Sequence, residues 1–412
     1  MSSPPPASPA DHGVVVIGAG VVGVATAYAL ARRGKRVHLV DRAAGPALGT
    51  SFANGAQLSY AYTDAMAGPA LWKQLPGVLG GGDPSYRAHT TADPDYWRWS
   101  LAFLRNATAG RLRRNTLATL ELALESRAAM AALLQRHALE FDHQVAGKLH
   151  LYYKAASLPA AEAMIALKRP YGVEQRLVDA AEVARIEPAL ADIPGIAGAV
   201  HSPEEEVGDP WRFSNGLLEV LRERYGVQAS FGLDLRRLAR DGTSGWRLEA
   251  ADGQVLQARQ VVVCTGIDGN ALLRPLGVRV PLMAIKGYSF TAPCGPAAPR
   301  TSITDTSRKL VFCRLGERMR VAGVAEVNVW DPQPSPQRMA DLVALARASL
   351  PRAADYDRVE SQWGGLRPVT PFSSPVIRQA RDGLFVNLGH GMLGWTLAMG
   401  SGERVAALLE AA

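Results

Sequence analysis

The stretch Val14–Asp41, VVVIGAGVVGVATAYALARRGKRVHLVD, decides the fold. It opens on a β-branched apolar run and then places Gly18, Gly20 and Gly23 in the spacing G-x-G-x-x-G. An apolar helical segment follows, and a second β-branched run ends at Asp41. Each part has a job in holding a dinucleotide. Gly18 allows a tight turn out of the strand, Gly20 lets backbone N–H groups approach a pyrophosphate, and Gly23 lets the helix pack close to the sheet. The helix N-terminus, at Val21 and Val22, favours phosphate charge. Asp41 closes the second strand, where a carboxylate accepts from a ribose hydroxyl. The glycine spacing alone is weak evidence. Strand, helix and acid at the expected distances make it a dinucleotide fingerprint.

The same segment invites a second reading, because Gly13 through Ala31 carries no charge and is nearly long enough to span a bilayer. Its β-branched start and glycine-rich middle instead suit a buried parallel strand turning into a buried helix. Met1–His12 is Ser/Pro-rich without a basic n-region and reads as a disordered leader, with the first domain beginning at residue 12. With no other long apolar run, the sequence predicts a cytoplasmic protein that is soluble or at most peripheral to a membrane.

A chain of 412 residues with 48% hydrophobic content can bury a large core, and its length suggests two or three folding units. The net charge of +7 comes mainly from scattered arginines, loosely clustered in WRWSLAFLRNATAGRLRR, which carries Arg98–Arg114. Arginine mixed with Trp and Phe permits a nucleic-acid reading. No nucleic-acid module accompanies it, so a solvated helix face over buried aromatics is the better account. A basic amphipathic surface resting on anionic lipid is a third reading, and it leaves peripheral association with the inner face of the cell membrane open. Cys264, Cys294 and Cys313 form no C-x-x-C pair, which argues against a disulfide framework and a zinc site.

Along the chain, a Gly/Pro-punctuated region, Thr50–Asp95, precedes a helical run marked by Leu117, Leu120, Leu124, Leu133 and Leu134. Leu149–Tyr153 reads as a strand, and Pro159–Leu167 and Phe213–Tyr225 as helices. Asp252-Gly253 marks a hairpin leading into Val261–Cys264, a continuous apolar run ending in Thr265-Gly266. Lys286–Thr291 and Leu310–Val324 read as antiparallel strands, the latter folded at Gly316-Glu317. Met339–Ser349 reads as a helix, Leu384–Leu388 as a final strand, and Gly389-His390-Gly391 opens a C-terminal helix. Parallel-sheet pieces thus lie at the start, middle and end of the chain, with antiparallel and helical insertions between them. The expected class is α/β, with a discontinuous Rossmann-like domain (12–62, 205–282, 353–412). The insertions (63–204, 283–352) build a second, α+β substrate domain on a mostly antiparallel sheet.

Taken together, several segments resemble the FAD-dependent amine oxidoreductases of the D-amino-acid oxidase/glycine oxidase superfamily, most closely its D-amino-acid dehydrogenase small-subunit group. They are the opening fingerprint, TSFANGAQLS (Thr50–Ser59), EVGDPWRFSNGLL (Glu206–Leu218) and VVVCTG (Val261–Gly266). IKGYSFT (Ile285–Thr291), WGGLRPVTP (Trp363–Pro371) and NLGHGMLGWTLAMGSG (Asn387–Gly402) complete the set. The resemblance implies FAD as cofactor. It places Asp41 and Arg42 toward the ADP half, Ser51 and Asn54 at phosphate or ribitol, and Gly55, Ala56 and Gln57 beside the ring through backbone. Leu235, in FGLDL, is implied to hold the adenine by its backbone, with Thr265 and Gly266 where a strand ends beside the cofactor. Gly389, His390, Gly391, Met392, Leu393, Gly394, Trp395 and Thr396 open the last helix at the flavin's pyrimidine edge, where negative charge develops on reduction.

Arg367 is the implied carboxylate clamp, since a guanidinium takes a carboxylate bidentately where lysine cannot. Tyr288 and Tyr62, with Tyr60 as the alternative to Tyr62, are candidates for lining the pocket; buried tyrosines are more often packing residues. Two departures from the group's pattern, Pro371-Phe372-Ser373-Ser374-Pro375 and Tyr60-Ala61-Tyr62-Thr63-Asp64, fall where substrate size would be read. The implied reaction is oxidative deamination of a D-amino acid by hydride transfer from Cα to flavin, giving the 2-oxo acid and ammonia. A quinone or other carrier is the expected electron acceptor. The alternative on the same architecture is a secondary-amine or imino-acid dehydrogenase or oxidase acting on sarcosine, proline or hydroxyproline.

Overall fold

The computed structural model describes residues 11–72, 86–242 and 245–412. In chain order the first strands are β1 (Asp11–Ile17), β2 (Val37–Val40), β3 (Gln57–Leu58), β4 (Tyr86–Ala88), β5 (Lys148–Tyr152), β6 (Arg176–Val178) and β7 (Gly198–Ser202). Next come β8 (Glu206–Val207), β9 (Gln228–Ser230), β10 (Leu235–Asp241), β11 (Gly245–Ala250), β12 (Val255–Val263) and β13 (Met283–Pro293). The last are β14 (Ser302–Asp305), β15 (Leu310–Leu315), β16 (Arg318–Val327), β17 (Ser361–Val369), β18 (Val376–Arg381) and β19 (Leu384–Leu388). Six helices bear on the site: α1 (Val21–Arg32), α2 (Pro94–Arg105), α3 (Ala109–Arg136), α4 (Pro210–Tyr225), α5 (Pro336–Ser349) and α6 (Gly394–Glu410).

Two large sheets organise the molecule. The first has a parallel centre, β19-β12-β1-β2-β9, flanked by the antiparallel hairpin β10-β11 and by β18. β12 does double duty. Its first half pairs antiparallel with β11, and its second half lies between β1 and β19. The second sheet runs β17-β13-β16-β15-β14-β5-β7-β6, with β4 added beside β16, and is antiparallel except at β14–β5 and β16–β4. β3 and β8 form a small separate pair.

Helix-against-sheet packing in the first layer depends on bare backbone. α1 and α6 lie together, and a Cβ at Gly402 would sit 2.8 Å from the Ala25 carbonyl oxygen. On its other side α6 meets α3, where a Cβ at Gly400 would sit 2.7 Å from the Leu122 carbonyl oxygen. Leu122, Ala123, Met130 and Leu133 of α3 share one buried cluster with α1, α4 and α6. Interiors packed at this density leave no room for an added methyl.

Three boundaries differ from the sequence expectation. Asp11 and His12 belong to β1, because they pair with Gln257 and Ala258 of β12, while Met1–Ala10 lie outside the described residues. Residues 73–85 of the Gly/Pro-punctuated region also lie outside them. Helix α3, expected within the substrate segment 63–204, packs its apolar stripe onto the first sheet's helix layer. Within 353–412, expected to follow the cofactor domain, Ser361–Val369 pairs along its whole length with β13 of the second sheet.

Candidate functional site

β1, β12 and β19 run parallel, and the turns leaving their carboxyl ends carry Gly18–Gly20, Thr265–Gly266 and Gly389–Gly391. From these turns a cleft of about 1500 Å³ extends to the second sheet. A crevice at strand carboxyl ends is where parallel α/β sheets take their ligands.

The glycine turn fits a pyrophosphate. Gly18 adopts φ +99°, and a Cβ there would stand 2.7 Å from the Cys264 carbonyl oxygen. A Cβ on Gly23 would stand 1.7 Å from the Gly18 carbonyl oxygen, so α1 can begin this close to β1 only with glycine. Gly20 caps α1 without a side chain, and no acid lies in the first turn. Ser51 Oγ accepts from Val21 N at 3.1 Å, and Val21 and Val22 line the cleft. Asp41 lies at the expected place. Its Oδ2 accepts from Ala19 N at 2.6 Å and its Oδ1 from Ala43 N at 2.8 Å, so the acid also ties the glycine turn to the second strand. Arg42 pairs with Asp268 at 2.7 Å on the rim. Leu235 is the first residue of β10 rather than the end of a strand FGLDL. Gly232 and Leu233 before it donate to the carbonyls of Ala43 and Asp41 at 2.8 and 3.0 Å.

The Thr50–Ser59 loop is pinned from several sides. Asn54 Oδ1 accepts from Ala56 N at 2.9 Å, and Ala56 takes φ +59° within that turn. The Asn54 carbonyl accepts from buried Arg320 at 3.1 Å, Ser289 Oγ donates to the Ala53 carbonyl, and Ser59 N donates to Thr396 Oγ1 at 2.9 Å. Gln57 was expected to act through backbone, yet its side chain is held at three points. Lys148 Nζ donates to its Oε1 at 2.8 Å, and its Nε2 donates to Ser302 Oγ at 2.6 Å and Thr304 Oγ1 at 3.3 Å.

Lys148 introduces a buried charged cluster that the sequence reading missed. Its Nζ also donates to Ser59 Oγ at 2.6 Å and lies 4.9 Å from the centre of the Tyr62 ring. Burial pulls the ammonium down to about 8 and pushes nearby Glu205 up to about 7, against the attraction between the two. Glu205 accepts from Ala61 N at 2.6 Å, and Lys168 donates to Asp64 at 2.9 Å. The signal was the alternation Lys148-Leu149-His150-Leu151-Tyr152, which puts Lys148 and His150 on one face of β5. Tyr62 lines the cleft with its ring against His150, 3.9 Å between centres, and burial raises its phenol. Tyr60 is buried behind it, 3.4 Å from Glu206.

Arg367 projects from β17 into the cleft. No described residue donates to, accepts from or pairs with its guanidinium, and burial pulls it down to about 10, still charged near neutrality. Its register partner is Ile285, and Gly287 faces Gly365 one step along the same face. The guanidinium lies directly over Gly287, where a Cβ would meet it at 2.1 Å, and the Trp363 ring covers Gly365 in the same way at 1.8 Å. Two facing glycines therefore form the bed on which these side chains rest. Tyr288, a candidate for lining the pocket, borders the cleft from another side than Arg367. It faces Gly364 in register, its hydroxyl bonds to the Glu326 carboxylate, and its ring joins the core beneath α5. Strand alternation puts it on the face opposite Arg367.

At the last turn, His390, Gly391, Met392, Leu393, Gly394 and Trp395 line the cleft. Gly23, Gly389 and Thr396 shape it from behind. Gly389 holds φ +88° with no space for a Cβ against Thr370, and Thr396 anchors the Thr50–Ser59 loop. His390 Nε2 and Thr265 Oγ1 are buried without a hydrogen-bond partner, and both residues border the cleft. Orphaned polar atoms beside a glycine-rich turn and a helix start whose N-cap residue has no side chain fit a polar, phosphate-bearing cofactor. Among the described residues no His/Cys/Asp/Glu group suits a metal ion.

The chain belongs to the DAO family of FAD dependent oxidoreductases, which it matches over residues 13–408. It is 40% identical over 406 residues to a D-amino acid dehydrogenase of Paramagnetospirillum magneticum, covering 96% of this chain and 94% of that protein. It is 39% identical over 397 residues to D-amino acid dehydrogenase 2 of Pseudomonas aeruginosa, covering 95% and 94%. In fold it is similar to glycine oxidase from Geobacillus kaustophilus, with TM-score 0.76 at 20% identity over 97% of this chain and 94% of that one. The enzyme is thus an FAD-dependent oxidoreductase of mixed α/β architecture.

Burial without a partner holds His390 down at about 3. In the unfolded chain the imidazole takes a proton below about pH 6.5, so the folded state loses stability as pH falls from there toward 3. His390→Gln removes that dependence. The unfolding free energy of the wild type relative to the variant, followed by thermal denaturation, should fall between pH 7 and pH 5, by at most about 1.4 kcal/mol per pH unit. A gap independent of pH contradicts the assignment.

Proposed function

We propose that this enzyme is a D-amino-acid dehydrogenase in which Arg367 binds the substrate carboxylate. The observation that carries the reading is a half-buried, desolvated guanidinium in the cleft wall with no acidic partner among the described residues. A desolvated cation of this kind is satisfied by a ligand carboxylate, and its planar fork takes both oxygens. The configuration at Cα follows the relatives at 37–40% identity, each named D-amino acid dehydrogenase.

Gly18, Gly20, Val21, Val22, Asp41, Arg42, Ser51 and Leu235 would hold the ADP portion of FAD. Asn54–Gln57, Thr265, Gly266 and the turn from His390 to Trp395 would hold its flavin end. Bound FAD supplies the acceptor for the electron pair of the Cα–H bond. The residues around it do the positioning. Arg367, flat on Gly287, fixes the carboxylate and with it the direction of Cα–H. Gln57, locked by Lys148, Ser302 and Thr304, keeps the loop beside the cofactor from shifting. The α-nitrogen lone pair forms the C=N bond as hydride leaves, and water then converts the imine to the 2-oxo acid and ammonia. His390 is held neutral and needs no proton for this step. A quinone or another carrier is the acceptor that reoxidises the enzyme.

We place the protein on the cytoplasmic side of a membrane, touching it through α2. No helix of the described residues is long and apolar enough to cross a membrane. Trp97 and Leu101 on the outer face of α2 are 55% and 50% exposed, and Trp72, bonded to the α2–α3 turn, is 53% exposed. Arg98 and Arg105 on α2 and Arg111, Arg113 and Arg114 on the first turns of α3 are exposed. Exposed aromatic residues accompanied by arginine suit the interface of an anionic bilayer.

Arg367→Ala should lower kcat/KM for D-amino acids by about a hundredfold or more while visible absorbance shows flavin still bound. Gly287→Ala, which pushes the guanidinium off its bed, should raise KM more than it lowers kcat. Unchanged turnover in the arginine variant overturns the carboxylate assignment. In sedimentation with vesicles, the enzyme should bind phosphatidylglycerol-containing membranes and be released by salt; no binding at low salt removes the membrane placement.

A further inference from the structure

We infer that the substrate carries a bulky apolar side chain, aromatic above all; this rests on Arg367 holding the carboxylate. Strand parity brings the relevant residues together. Along β13, β16 and β17, Arg367 faces Ile285, Val369 faces Met283, and Val327 faces Ile285 from the other side. Residues that face one another, or stand two apart on a strand, share a face of the sheet. Met283, Ile285, Val327 and Val369 therefore form an apolar floor beside the guanidinium.

Helix α2 roofs this floor. Tyr96, Trp99 and Phe103 recur at three- and four-residue spacing, so they fall on one side of the helix. Tyr96 and Trp99 are buried in a single cluster with the floor, and Phe103 and Met66 pack against it. Trp99 Nε1 donates to the Val369 carbonyl at 2.9 Å, which fixes the helix two residues from Arg367. Trp99 and Phe103 lie 4.9 Å apart between ring centres and within 11° of parallel. Ile285, Val327, Tyr96, Trp99, Phe103 and Met66 all line the cleft. A side chain that leaves a carboxylate-bound Cα toward α2 meets hydrocarbon and ring surface.

Charge points the same way. Four acids border the cleft, and each is already engaged. Asp41 takes two backbone N–H groups, Asp64 pairs with Lys168, Asp234 with Arg236, and Asp268 with Arg42. A cationic side chain finds no unpaired carboxylate among the described residues that border the cleft. An anionic one would lose its water beside the apolar side chains of the α2 cluster, which disfavours it.

The test is anaerobic reduction of the purified holoenzyme, followed by flavin absorbance, with D-phenylalanine, D-leucine, D-alanine, D-glutamate and D-arginine. D-Phenylalanine and D-leucine should reduce the flavin with kcat/KM on the order of tenfold or more above D-alanine, with D-glutamate and D-arginine below it. If D-alanine, D-glutamate or D-arginine equals or exceeds D-phenylalanine, the inference fails while the D-amino-acid reading stands. If none of the five bleaches the flavin, both fail. Phe103→Ala should compress the D-phenylalanine to D-alanine ratio by roughly tenfold, whereas a purely structural defect lowers both alike. An unchanged ratio with flavin bound removes Phe103 from the substrate wall.

Discussion

The cofactor end of this enzyme depends on a contact that contains no side chain. Gly23 of α1 meets the Gly18 carbonyl so closely that a Cβ would stand 1.7 Å from its oxygen. This contact sets the start of α1 against β1 and so aims the helix's free N–H groups past the turn. The same economy recurs where α6 crosses α1 at Gly402 and α3 at Gly400. Backbone packed on backbone is stiff, because no rotamer can relax it. A phosphate site needs that stiffness, since its affinity comes from fixed dipoles and not from groups that reorient on binding.

The Arg367 end of the cleft follows a different rule, strand parity. The β13–β17 register fixes which residues share a face, and it places Arg367, the glycine bed and the apolar floor together. Gly287 and Gly365 have no φ requirement; they are small because Arg367 and Trp363 lie across them. The two ends are joined by the Thr50–Ser59 loop. It receives Thr396 from the first sheet's helix layer and Arg320, Ser289 and Lys148 from the second sheet. A loop held from both sides ties the positions of the two ends of the cleft together.

Much of this was legible in the sequence because it is local. The strand–turn–helix at Val14–Ala31, the hairpin at Asp252-Gly253 and the turn at Gly389–Gly391 each carry their signal within one short run of chain, and the structure brings the first and last of these turns to one cleft. What escaped was nonlocal or doubly buried. β13 is buried along nearly its whole length on both faces, so its hydropathy shows no alternation, and nothing in KGYSF says that Tyr288 turns away from Arg367. β17 is near in sequence to the C-terminal part of the first sheet, yet its ladder belongs to the second. The Lys148 cluster draws on residues from 57 to 205, and only the odd polar residues in β5 hinted at it.

The seat of α3 has a further consequence. A helix from the segment between the sheets is packed into the layer over the first sheet, while the strand that carries Arg367 crosses back to the second. Each half of the molecule therefore keeps part of its core in the other's keeping. Loosening either half strips core contacts from the other, which couples the order of the glycine turn to the order of the strand that carries Arg367.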